Sequence, residues 1–201
     1  MYALVENNTI TRYFNSPKGF TLGDLQYPSD LFMKWSVEEK EAIGIYEVVF
    51  NNSNFKDETW YNNTDLSFAF ADGTVTASYG TATPKTHADT LFTAQDETDG
   101  KGTEGEVAAR GLKYNLIQNL KTNVANELAR TDWYITRNTE KSTAIPSAIS
   151  THRDAVRTKQ ASMETAITNA SDTPALETLH TYTTTDGVQS RPLGELPVLE
   201  L

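Results

Sequence analysis

Between Val107 and Ala170 the chain carries two stripes of apolar side chains at helical spacing, and two such stripes cannot both be left wet. Leu112, Leu116, Leu120, Val124 and Leu128 recur four residues apart with Ile117 beside them, which gathers the large apolar side chains onto one broad face of a helix. Lys113, Gln118, Lys121, Asn123 and Asn126 fall mostly on the other face. Ile149, Val156, Met163 and Ala170 stand seven residues apart, flanked by Ala155, Ala166 and Ile167, so a second helix has one seam to hide. The pattern predicts an α-helical hairpin over residues 107–171. Pro146 suits the first turn of its second helix, where a missing N–H costs nothing, and keeps Ile145 extended. In the polar connection from Leu128 to Trp133, the indole is the largest apolar group. Trp133 is read as a plug in the open end of the hairpin, the alternative being a solvent-facing recognition side chain.

A chain of 201 residues with 38% hydrophobic content can bury one sizeable core or two small ones. Its apolar runs fall far short of a membrane span, and no basic, apolar leader follows Met1, so a soluble protein made in a cytoplasm is expected. Cysteine is absent, which excludes disulfides, thiolate catalysis and cysteine-ligated metals. A net charge of −10 argues against nucleic acid as the main ligand, because phosphate binding depends on clustered Lys and Arg. Arg130, Arg137, Lys141, Arg153, Arg157 and Lys159 do lie close together in sequence around the hairpin. They read as a solvated helix face or as a docking surface for an acidic protein partner.

In chain order, Tyr2 to Val5 and Ile10 to Phe14 flank Asn7-Asn8, which tolerate the positive φ of a tight hairpin turn. A loop follows Pro17 and Gly19, and a short helix is expected from Tyr27-Pro28-Ser29-Asp30 through Trp35. Ser36 and Glu39 have capping-box spacing and start a second short helix to about Ala42, which Gly44 stops. Ile45 to Phe50 returns to strand. Further strands are predicted at Glu58 to Tyr61, Leu66 to Ala71 and Thr74 to Tyr79, the last two joined by the hairpin dipeptide Asp72-Gly73. Leu66, Phe68 and Phe70 alternate with Ser67, Ala69 and Ala71, giving one large-residue and one small-residue face. The fold class is therefore α+β. A small antiparallel β-rich domain with short helices occupies residues 1–80, a polar linker 81–106, the helical hairpin 107–171 and an extended arm 172–201. Leu91 and Phe92 make a brief ordered contact within the linker. In the arm, a last helical turn spans Ala175 to Leu179, and Asp186-Gly187 makes a final hairpin turn.

Motifs with chemistry mostly fail. Gly100, Gly102 and Gly105 match G-x-G-x-x-G by letter, but Asp96-Glu97-Thr98-Asp99 precede them where a dinucleotide site needs a buried strand. Lys101-Gly102-Thr103 lacks P-loop spacing, and Asp96 with Asp99 lacks the pattern of an EF-hand loop. His87, His152 and His180 are too dispersed for a zinc site, and His152 reads as a helix-surface or hairpin-packing residue. No G-x-S-x-G elbow occurs, and no acidic pair stands in a recognisable glycosidase setting. The sequons at Asn7, Asn51 and Asn62 coincide with predicted turns and are read as turn chemistry. No catalytic residue, cofactor or metal is assigned.

Glu127-Leu128-Ala129-Arg130-Thr131-Asp132-Trp133, then Pro146, then Thr151 to Arg157 with its step Arg153 and Arg157 resemble the carboxy-terminal module of bacteriophage tail-fibre assembly proteins and tail assembly chaperones. That module has a leucine-rich helix ending in a Thr-Asp-Trp corner and a following helix with an Arg-x-x-x-Arg step. An aromatic residue commonly precedes the first Arg in that family, and His152 stands there instead. A looser similarity to proteins of marine phages runs from Met1 to Glu195. The resemblance implies a non-enzymatic component of the virion tail, baseplate or fibres, present in the host cytoplasm during assembly. Its partners would be other tail or fibre proteins, or a second copy of the chain, with no nucleic acid and no membrane. Trp133, Arg153, Arg157 and Arg191 are the candidate partner-binding residues. The alternative role is an assembly chaperone that leaves before the particle is finished, and a third is a glycan-degrading tail enzyme.

Overall fold

The computed structural model describes residues 1–199; Glu200 and Leu201, the end of the predicted arm, lie outside the described residues. The chain is an α+β protein and divides into two compact units, Met1–Thr83 and Pro84–Leu201.

The first unit begins with the predicted hairpin. β1 (Tyr2–Glu6) and β2 (Thr9–Phe14) are joined by Asn7 and Asn8 at φ 49° and 60°, the paired positive φ of a type I′ turn. The expected loop after Gly19 contains a second hairpin, β3 (Phe20–Leu22) and β4 (Leu25–Tyr27). Next come α1 (Leu31–Lys34) and α2 (Val37–Glu41), the latter opened by the predicted capping box. Ser36 Oγ accepts from Glu39 N at 3.2 Å, and the Glu39 carboxylate accepts from Ser36 N at 2.8 Å. β5 (Ile45–Asn51), β7 (Leu66–Ala71) and β8 (Thr74–Tyr79) complete a five-stranded curled sheet of order β2-β1-β5-β8-β7. β6 (Tyr61–Asn62) and β9 (Thr83–Pro84) form a two-residue ladder.

Two predictions need correction here. The sheet is mixed, since β5 and β8 pair in parallel through Val48↔Val75 to Asn51↔Ser78. Residues 52–65 and then β7 carry the chain back before β8 sets out, a relation that local hairpin signals do not encode. The strand expected at Glu58 to Tyr61 is mostly turn, because the Asp57 carbonyl accepts from Trp60 N and Tyr61 N at 3.0 Å and its carboxylate from Thr59 N at 2.7 Å. Side chains cluster on both faces of the sheet. Leu4, Phe14, Phe20, Leu31, Phe32 and Ile45 fill one, and Ala3, Val5, Val48, Val75 and Ala77 the other, with Leu66, Phe68 and Phe70 packed against them as their alternation predicts. The curl brings Tyr13 of edge strand β2 within 4.7 Å of Phe68 of edge strand β7, centroid to centroid.

In the second unit the predicted linker is folded. β10 (Thr90–Leu91) pairs with β11 (Val107–Ala109), and α3 (Ala94–Thr98) lies between them under a Thr93–Asp96 capping box. Phe92 holds this segment together, exchanging backbone bonds with Glu106 O and Gly105 N. Gly102 lies so close beneath the Phe92 ring that an added Cβ would be 2.4 Å from it, so that glycine is a packing device. The segment also caps the first long helix, α4 (Leu112–Ala129): Leu112 N and Lys113 N donate to Thr86 O and His87 O at 3.0 Å, and Gly111 N to the Asp89 carboxylate at 2.8 Å. Those are amides that a helix start leaves unpaired. Polar composition was therefore a poor guide to order here, and residues 107–109 belong to a strand.

α4 packs against α6 (Ser147–Asn169) as the predicted hairpin. Ile149, Val156, Met163 and Ile167 of α6 and Ala170 at its end are buried, as are Leu120 and Val124 of α4. Pro146 stands one residue before α6, as its N-cap. The connection is itself helical, α5 (Asp132–Lys141), ended by Ser142 at φ 53°. The arm is not extended: α7 (Thr173–His180) is followed by the predicted Asp186-Gly187 hairpin of β12 (Thr183–Thr185) and β13 (Val188–Ser190). It needs no foreign surface to be ordered. Leu176 is fully buried, and Leu193 is buried with its N–H on Leu179 O at 3.0 Å.

Candidate functional site

Most of the residues that carry the resemblance converge where α4 ends, α5 begins and α6 passes by. The Leu128 carbonyl, one of the acceptors a helix end leaves free, takes Thr131 N and Thr131 Oγ1 at 3.0 Å. Arg153 reaches in from α6 and places one guanidinium nitrogen 2.8 Å from Leu128 O, 2.7 Å from Thr131 Oγ1 and 2.9 Å from Asp132 Oδ1. That nitrogen has two protons for three acceptors, so one proton is shared. Next to Leu128 and Arg153 in both helices, His152 Nε2 lies 3.0 Å from Glu127 Oε1, and Arg130 holds the other oxygen of Glu127 at 2.9 Å. Thr131, His152 and Arg153 are buried. His152 is thus a hairpin-packing residue, one of the two roles expected of it.

Burial pushes the Glu127 carboxyl toward the neutral form, but the bonds from Arg130 and His152 outweigh it and leave its pKa below the ordinary 4.5. The folded state therefore holds this proton less readily than the unfolded chain does. The stabilisation is present above the ordinary value and is lost as pH falls through the lower folded one. Urea unfolding between about pH 5 and 3 should show Glu127→Gln losing less stability than the parent; an equal decline in both would remove Glu127 from this role.

The four residues expected to meet a partner separate into two pairs. Arg153 is corrected to an internal strut, because its side chain is buried and one of its guanidinium nitrogens serves the corner. Arg191 is partly buried and engaged within the chain: it pairs with Glu195 at 2.7 Å, donates to Gly194 O at 3.2 Å and lies over the Tyr182 ring, whose hydroxyl donates to Glu195 at 2.6 Å. Arg157 lies at the surface, paired with Asp154 at 3.2 Å. Trp133 is 50% exposed, so the plug reading is overturned. The Thr131–Arg153 clamp occupies the place the indole was expected to fill, and α5 carries the ring outward.

The exposed ring is nonetheless held. It lies 3.8 Å from the Tyr134 ring, with the Arg137 guanidinium over its face at 4.8 Å, a cation–π arrangement. Arg137 Nε is a buried atom with no hydrogen-bond partner among the described residues. α5 contains no buried residue and also exposes Ile135. A helix of ten residues is marginal alone in water, so α5 depends on the clamp at its start. Trp133→Ala should therefore change the unfolding free energy by less than about 1 kcal/mol, where a buried plug would lose roughly 3–5 kcal/mol.

Charge is uneven. Residues 107–171 hold nine Lys and Arg against five Asp and Glu, a net +4 within a chain of net −10. Arg130, Arg153 and Arg157 are matched to Glu127, Asp132 and Asp154, which leaves Arg137 and Lys141 of α5 among the carriers of the excess. Sequence reading missed α5, whose signal was an acid in the first turn, Asp132, and a base in the last, Lys141, matched to the helix dipole. It also missed Thr131 and Glu127. Among the described residues no group of three or more His, Asp or Glu side chains is placed to hold a metal ion, and no helix is long and apolar enough to cross a membrane. Comparison of the chain with protein-family models, curated proteins and solved structures finds no match.

Proposed function

We propose that the chain is a non-enzymatic structural or adaptor component of a bacteriophage tail, baseplate or fibre, and that α5 is its docking element. The observation that carries this reading is a helix that buries no residue of its own, exposes Trp133 and Ile135, and is fixed by a buried guanidinium. Aromatic side chains with an arginine beside them are the usual anchors of protein interfaces. The residues of the resemblance, Glu127 to Trp133 with His152 and Arg153, build the seat of that helix. Mass spectrometry of purified virions of the encoding phage should find the chain at a fixed copy number. Absence from virions, together with a raised yield of soluble fibre protein on co-expression, would replace this reading with that of an assembly chaperone, the role the resemblance names most directly.

A further inference from the structure

We infer that α5 docks head to tail onto a second copy of this chain, with the Trp133–Arg137 face of one copy seated in an acid-rimmed apolar notch on the amino-terminal unit of the next. This rests on the reading of α5 as a docking element and names its occupant. The notch encloses about 170 Å³ beside α2 and β5, of the order of one indole side chain. Val37 and Val49, each more than half exposed, supply its apolar walls, and Glu41 and Glu47 line it. Lys40 also lines it, but its side chain is buried with the ammonium 5.0 Å from the Tyr2 ring centroid.

Charge selects the pairing. Residues 1–83 hold five Lys and Arg against eleven Asp and Glu, a net −6, facing the +4 of residues 107–171. Residues 84–201 as a whole carry −4, so the attraction is local to the basic hairpin face, and such local complementarity suppresses wrong pairings. The Arg137 guanidinium above Trp133 would reach Glu41 or Glu47 as the indole enters. Because the two surfaces differ, the contact is heterologous: a pair keeps one plug and one notch unused, and association continues until a ring closes.

The test is sedimentation velocity on the full chain up to about 100 μM, in about 0.05 M and about 1 M salt. Oligomers larger than dimers are expected in low salt, weakened about tenfold or more by high salt. Trp133→Ser removes the plug and Val37→Lys blocks the notch. Both positions are exposed, and circular dichroism should match the parent. Each variant alone should be monomeric, while an equimolar mixture should form one-to-one pairs and nothing larger. A wild-type chain that stays monomeric throughout, oligomers indifferent to both substitutions, or a mixture that stays monomeric would each overturn the inference. Virion content would still judge the docking reading separately.

Discussion

Replacing Arg153 by Met should lower the stability of the helical unit by about 3 kcal/mol, as breaking a buried charged hydrogen-bond set does. Methionine retains much of the apolar stem but leaves Leu128 O without its guanidinium, and Thr131 Oγ1 and Asp132 Oδ1 with one donor fewer. Leu128 O and Thr131 Oγ1 keep their bonds to each other, and Leu128 O its bond from Thr131 N, but the lost charged donor is not replaced where water is largely excluded. The loss should be local in its first effect: amide exchange in α5 accelerates before that in α4 or α6, because α5 has no buried residue to hold it once Asp132 is released. Urea unfolding followed by circular dichroism reads the size of the loss. A change below about 0.5 kcal/mol, the range of ordinary surface substitutions, would return Arg153 to the surface role first expected of it.

Gly111→Ala is the second large effect, and it acts at the opposite end of α4. The added Cβ would stand 2.2 Å from Ala88 O and 2.7 Å from His87 O, and both are backbone atoms of the segment that caps the helix. Nothing there is the free end of a side chain, so the cap itself must move. The Leu112, Lys113 and Gly111 amides then lose their acceptors. A loss of roughly 2–3 kcal/mol is expected, as for other overpacked sites. Calorimetry of the variant measures it, and an unchanged melting temperature would mean that residues 84–106 are as dispensable as a linker.

These two sites show what sequence conveys and what it hides. The seam of Ile149, Val156, Met163 and Ala170 was legible because a helix repeats its buried face at a fixed period. The turns at Asn7-Asn8, Asp72-Gly73 and Asp186-Gly187 were legible because positive φ is a local demand met by few residue types. The β5–β8 pairing was not, since it joins strands separated in the chain by β6 and β7. The segment before α4 was misjudged because composition describes side chains, whereas Thr86 and His87 act through backbone carbonyls. Trp133 was misplaced because size was equated with burial, and Arg153 because charge was equated with exposure. In both cases a polar clamp took the interior position and the aromatic ring the outer one.

The copy number of a Trp133→Ala chain in purified virions, counted by quantitative mass spectrometry against the wild type, tests most directly whether α5 is a handle for other proteins. Incorporation should fall to about a tenth or less, the loss typical of a central aromatic anchor, while the isolated chain stays folded. A wild-type copy number would contradict docking through this corner.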